Sequence, residues 1–143
     1  LKNIYPITKN ILSSGQNVSL LLSRLTIAYG FYGPDMQNVK IYLVLPAGLY
    51  PGIPFPTLNA YLAASTELLG VVLLTLGLFT RLISLPLIVV MVVAITTVHL
   101  GHGFSAGDNG FEIPLYYMLF LAIFASFGAG KFSLDHLLFG EEQ

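Results

Sequence analysis

Residues 57–100 consist of two long apolar runs, TLNAYLAASTELLGVVLLTLGLF and LISLPLIVVMVVAITTVHL, with only Thr80 and Arg81 between them. Each run is about the length a helix needs to cross a hydrocarbon core. A link this short leaves the two helices no choice but to be antiparallel neighbours. The rest of the chain offers no polar surface to wrap around them. Hydrophobic residues make up 55% and charged residues 9%, with a mean hydropathy of +0.80, which excludes a water-soluble globule. The chain reads as an all-α membrane protein.

Two further segments meet the span criterion, so helices are predicted at about 18–33, 57–79, 82–100 and 111–130. Their punctuation supports the cuts. Ser13, Ser14, Gly15 and Asn17 precede the first, and Gly33-Pro34-Asp35 ends it, because proline and the residue before it disfavour continued helix. Pro51, Pro54 and Pro56 precede the second. Gly101, Gly103 and Gly107 close the third. Asp108 or Asn109 offers an N-cap to the fourth, which Gly128 and Gly130 stop. The expectation is a single integral membrane domain over 1–143, a four-transmembrane-helix bundle. An outer interfacial loop joins helices 1 and 2. That loop carries Ile41, Tyr42, Leu43, Val44 and Leu45, too apolar for free solution, with Tyr42, Tyr50 and Phe55 as interface anchors. Prolines interrupt it too often for a fifth span.

Lys2, Lys9, Arg81 and Lys131 fall on one side of a four-span chain and Lys40 on the other. Both termini are therefore expected in the cytoplasm, in a bacterial or archaeal cytoplasmic membrane. The stretch LKNIYPITKN lacks signal-peptide order, so the first span is expected to be a retained anchor. A formal net charge of −1 with no run of like charges argues against nucleic acid as a partner. The absence of cysteine removes disulfides, iron–sulfur clusters, thiolate zinc sites, attached haem c and thiol relays. No covalent cofactor is expected.

Two charges interrupt the spans: Arg24 within LLLSRLTIAYG and Glu67 within YLAASTELLGVVLL. An ionisable group at membrane depth is paired or functional. Ala60, Ala63, Ala64 and Gly70 lie at i−7, i−4, i−3 and i+3 from Glu67, and Gly77 prolongs this stripe. Small residues on one face allow close helix approach, so Glu67 is expected to look into the bundle. At 1.5 Å per residue Glu67 stands roughly 18 Å from the end of its helix, and Arg24 roughly 10 Å above Asn17. The gap of about 8 Å is within reach of an arginine, and an Arg24–Glu67 pair is predicted. It serves either as a static ion pair that fixes helix register or as a proton-accepting carboxylate poised by the guanidinium.

A second polar group gathers at the outer ends of helices 3 and 4: His99, His102, Asp108, Asn109 and Glu112, in TTVHLGHGF and GDNGFE. His99 and His102 share a face if helix continues through Gly101, and imidazole with carboxylate suits a metal ion. The alternatives are two interfacial histidines and, for Glu112, a capping box with Asn109. A quinone headgroup fits the same edge, since it needs an apolar slot with a few hydrogen-bonding groups. His99, Glu112, Tyr116 and Tyr117 are the candidates, although ordinary belt tyrosines would look the same.

These residues also resemble a family. RLTIAYGFYG, GIPFPTLNAYLAASTELLGVVLLTLGLFTRL, HLGHGF, NGFEIPLYY and GAGKFSLDHLL together look like a DoxX family membrane protein across nearly the whole chain. In the first outer loop, GPDMQNVK keeps Gly33 and Lys40 but places Asp35 between them, a departure from the family's glycine-rich approach to a lysine. The resemblance implies a four-helix bundle associated with membrane oxidoreductases, including thiosulfate:quinone oxidoreductase, whose membrane subunits such chains form. The leading expectation is a small membrane subunit of a quinone-linked redox complex. In it Arg24, Glu67, His99 and Glu112 handle a quinone or its protons, and partner subunits supply electrons. The alternatives are a non-catalytic subunit that anchors or assembles a partner, and metal or small-molecule handling at the outer face.

Overall fold

The computed structural model describes residues 15–33 and 55–140, and every regular element among them is helical. Helix α1 covers residues 15–33. Helix α2 is Pro56–Leu76 and α3 is Thr80–Ala94. The latter continues without a break into a π-helical turn, Ile95–His99, and a 3-10 turn, Leu100–His102. After a second 3-10 turn, Ala106–Asp108, come α4 (Glu112–Phe127) and the short α5 (Leu134–Phe139). The apolar loop segment with Tyr42 and Tyr50, and the cations Lys2, Lys9 and Lys40, lie outside the described residues.

Helix α3 is central, packed most extensively on α4 and also on α2. The core draws Leu20, Ile27, Ala28 and Phe31 from α1 and Leu74 from α2. Ile83, Leu87 and Met91 come from α3, and Leu121 and Phe124 from α4. Glycine permits the tightest approaches. A Cβ on Gly70 would stand 2.8 Å from Leu87 Cδ1, so α2 meets α3 there over bare backbone. A Cβ on Gly30 would overlap the Tyr117 hydroxyl, and the neighbouring Phe31 ring packs on Tyr117 with centroids 5.2 Å apart.

Burial separates this bundle from a soluble one. Thr57–Leu76 and Thr80–His102 are long and apolar enough to cross a membrane, yet only 11% and 22% of their most apolar stretches are buried. Leu62, Leu69, Leu82 and Val89 all point outward. A core helix of this composition in a soluble protein would be mostly covered, so these faces suit lipid. Glu112–Phe127 is equally apolar but shorter, at 16 residues.

The junction between α2 and α3 departs from the expected bounds. Helix α2 stops at Leu76 because Gly77 turns left-handed at φ +66°, with Leu78 N–H donating to Leu73 O at 2.9 Å in a Schellman-type closure. Gly77 therefore does not extend the Ala60–Gly70 stripe; it makes the turn. Phe79 is also left-handed, at φ 49°. Such a conformation costs a residue with a Cβ about 1–2 kcal/mol, and a hydrogen bond from its N–H to the Asp135 carboxylate helps to hold it. At the other end Asn109 is left-handed (φ 60°) and closes the 3-10 turn. The expected cap of α4 at Asp108 or Asn109 is thus replaced by Phe111, without a side-chain hydrogen bond.

Candidate functional site

Two hydrogen-bonded polar clusters sit at the two ends of the bundle, with Glu67 between them along α2. At the end where α3 begins, Arg24 is fully buried. Its Nη1 donates to Leu74 O at 3.2 Å and its Nη2 to Phe132 O at 2.6 Å. The carboxylate that attracts it is Asp135, itself 4% exposed. Asp135 Oδ1 accepts from Phe79 N–H at 2.6 Å and Oδ2 from Thr80 N–H at 3.0 Å, while Asp135 N–H donates to Gly77 O at 2.9 Å.

The placement follows from the ends of helices. The last carbonyls of α2 and the first amides of α3 lack partners within their own helices and carry the ends of the helix dipoles. The cation meets the carbonyl end and the anion meets the amide end. Ser133 completes the wrap: its Oγ accepts from His136 N–H to cap α5 and donates to Gly130 O. Asn17 Oδ1 accepts from Lys131 N–H at 2.9 Å, which ties the start of α1 to the same tail.

This geometry corrects the expected Arg24–Glu67 pair. The guanidinium turns toward the carbonyls of Leu74 and Phe132, and the carboxylate whose charge attracts it is Asp135. Glu67 lies about 10 Å back along α2 from Leu74, toward its N-terminal end, by the rise of a helix, and is half-buried. A signal for Asp135 existed in the sequence. SLDH is an N-cap serine followed by a carboxylate, and with Lys131 it falls on the side of the bundle where Arg24 was expected. A carboxylate outside the spans is ordinarily solvated, and only the fold-back of residues 128–139 buries this one.

At the opposite end, Glu112 Oε2 accepts from Ala106 N–H at 3.0 Å and Oε1 accepts from the Tyr116 hydroxyl at 3.2 Å. The carboxylate braces the 103–111 loop instead of forming a capping box with Asn109. His99 Nδ1 meets Asn109 O at 2.8 Å, and His102 Nδ1 meets Val98 O at 3.0 Å. A carbonyl can only accept, so both rings carry their proton on Nδ1, and in the neutral ring Nε2 keeps its lone pair. Because the helix passes from π to 3-10 geometry between them, the two rings lean on different carbonyls. Among the described residues no three His, Asp or Glu side chains gather to hold a metal. Tyr116 is half-exposed, and Tyr117 packs inward on α1 through Gly30 and Phe31. Of the expected rim residues, the structure joins Glu112 to Tyr116 directly. It ties His99 to the same loop through Asn109.

Residues 19–100, which carry Arg24, Glu67, the α2–α3 turn and His99, match the DoxX family. Two uncharacterized proteins of Haemophilus influenzae are similar to the chain over most of its length. One is 34% identical over 132 residues, covering 87% of this chain and 85% of its own. The other is 32% identical over 126 residues, covering 84% and 90%. No solved structure matches. The family match over more than half the chain and the two relatives lead to one conclusion: this protein is a membrane protein of the DoxX family.

Proposed function

We propose that the chain is a four-span membrane subunit of a quinone-linked oxidoreductase complex in a bacterial or archaeal cytoplasmic membrane. Helices α1 to α4 each cross, and both termini face the cytoplasm. The quinone headgroup is handled at the outer rim. The observation that carries this reading is the hydrogen-bonded Glu112–Tyr116 pair, which shares one loop with a histidine whose Nδ1 is tied to Asn109 O. A quinol offers two hydroxyls across a flat apolar ring. His99 Nε2 has the lone pair to accept one, and the Glu112 and Tyr116 oxygens can accept the other. Oxidation of quinol releases two electrons and two protons. The protons pass to these rim groups and then to water, and the electrons pass to a redox centre of a partner subunit. In the reverse direction the same groups return the protons. Tyr117, packed on Phe31, forms one apolar wall beneath the rim, and Glu67 lies on α2 as a further proton acceptor at membrane depth.

The test is quinone turnover by the complex purified from membranes with its native partners. His99→Ala and Glu112→Gln are expected to lower turnover by about 10²-fold, as removal of a positioned acid or base does. Unchanged turnover in both removes the rim from the mechanism, and an unchanged Glu67→Gln removes Glu67.

A second reading is favoured by a separate observation: Arg24 and Asp135 both engage main-chain groups. On this reading the chain is a structural subunit that assembles a partner. Intact complex assembly with unaffected turnover in all three variants supports it.

A further inference from the structure

Beyond the quinone rim, at the opposite end of the bundle, a shallow cleft opens between the start of α3 and α5, lined by Phe79, Arg81, Leu82, Asp135 and Phe139. We propose that this cleft binds the headgroup and upper acyl chain of an anionic phospholipid. Its walls are apolar and exposed. Leu82 is 67% and Phe139 59% accessible, and the Phe79 and Phe139 rings stand 5.7 Å apart, forming one aromatic side. Water is a poor solvent for such a surface. The cleft sits where the apolar stretch Thr80–His102 begins, which is where a bilayer's headgroups and first methylenes lie.

Charge selects the lipid. The Asp135 carboxylate is 4% exposed, each oxygen accepts from a main-chain amide, and the Arg24 charge acts on it from within, so its negative charge is largely turned inward. Arg81 is exposed at the mouth, and its planar guanidinium matches a phosphate in two parallel hydrogen bonds. The bonds from Phe79 and Thr80 N–H to Asp135 fix the backbone from which Arg81 and the Phe79 ring project at the end of the bundle.

The full chain in detergent is exposed to equal amounts of phosphatidylglycerol and phosphatidylcholine, and bound lipid is read by native mass spectrometry. Wild type is expected to retain phosphatidylglycerol about fivefold over phosphatidylcholine, the preference one basic residue near a membrane surface confers. Arg81→Gln is expected to bring the ratio to parity, Arg81→Lys to keep most of it, and Phe139→Ser to lower retention of both lipids. Circular dichroism of each variant confirms that the helices persist. Wild type without a preference, or Arg81→Gln with the preference intact, overturns the proposal. So does a dimer that dissociates in Phe139→Ser with no lipid retained, since a second copy then covers the cleft. Arg81 has no part in the quinone rim, so its turnover is expected to be unchanged, and either reading can fail alone.

Discussion

The Arg24 guanidinium lies in the space that a side chain on residue 77 would need: a Cβ added to Gly77 would overlap Nη1 and stand 2.6 Å from Ser133 Cβ. Two requirements meet at this glycine, a left-handed φ of +66° and room for a buried cation. Gly77→Ala is therefore expected to destabilise the chain by about 2–4 kcal/mol, combining backbone strain with displaced buried hydrogen bonds. Thermal unfolding in detergent measures it. A loss of no more than the backbone strain alone, about 1–2 kcal/mol, would mean that the guanidinium relocates freely.

The charge partner of Arg24 can be read by coupling. Arg24→Met alone removes the guanidinium's bonds to the carbonyls of Leu74 and Phe132 and leaves the Asp135 carboxylate with its two main-chain donors but no cation to offset its charge, a loss expected at about 3–5 kcal/mol. Pairing it with Asp135→Asn removes the orphaned anion, so the double variant should be more stable than the sum of its singles by about 1 kcal/mol or more. The corresponding cycle of Arg24 with Glu67→Gln should give a smaller coupling. The opposite ranking would restore the pairing with Glu67.

Asp135 holds two amides, and their exchange reports on it. Asp135→Ala leaves Phe79 N–H and Thr80 N–H without an acceptor, and those two amides should exchange with deuterium at least about tenfold faster, equivalent to the roughly 1–3 kcal/mol lost when a buried donor is orphaned. Amides in the middle of α4 should be little affected. Uniform acceleration across the chain would instead show that the carboxylate stabilises the whole bundle and not the turn.

Composition and periodicity were enough to make the chain all-helical with two long apolar helices, whereas rise per residue carried Arg24 toward Glu67 and not to the α2 end where it binds. The small-residue face held at Gly70, where Leu87 packs on bare backbone. Only the side of the bundle on which Asp135 lies was legible, because its burial beside Arg24 depends on residues 128–139 folding back. A carboxylate beyond Phe127, where α4 ends, carries no sign of burial in its local pattern. Two serines near that end show why. Ser126 donates to Ala122 O within its own helix and stays exposed, whereas Ser133 caps α5, and only the path of the tail distinguishes them. Glu112 is a candidate for the quinone edge in the sequence, with a capping box as its plain alternative, and the structure replaces that alternative. Spacing suggested a capping box with Asn109, but the left-handed turn at Asn109 moved the helix start and sent the carboxylate to Ala106 and Tyr116.

The proposed rim chemistry rests on which imidazole nitrogen carries the proton, and that is directly measurable. His99 Nδ1 faces Asn109 O and His102 Nδ1 faces Val98 O, so both neutral rings should be the Nδ1–H tautomer, against the usual preference of free imidazole for Nε2–H. Nitrogen-15 shifts of the ring atoms in detergent-solubilised protein distinguish the two. Glu112→Ala frees Ala106 N–H, loosens the 103–111 loop that presents Asn109 O, and should shift His99 toward a tautomer mixture. His102 should stay unchanged, because its acceptor belongs to the helix and not to the loop. If His99 is Nε2–H in the intact protein, the lone pair faces the loop carbonyl side, and His99 cannot accept a quinol hydroxyl at the rim.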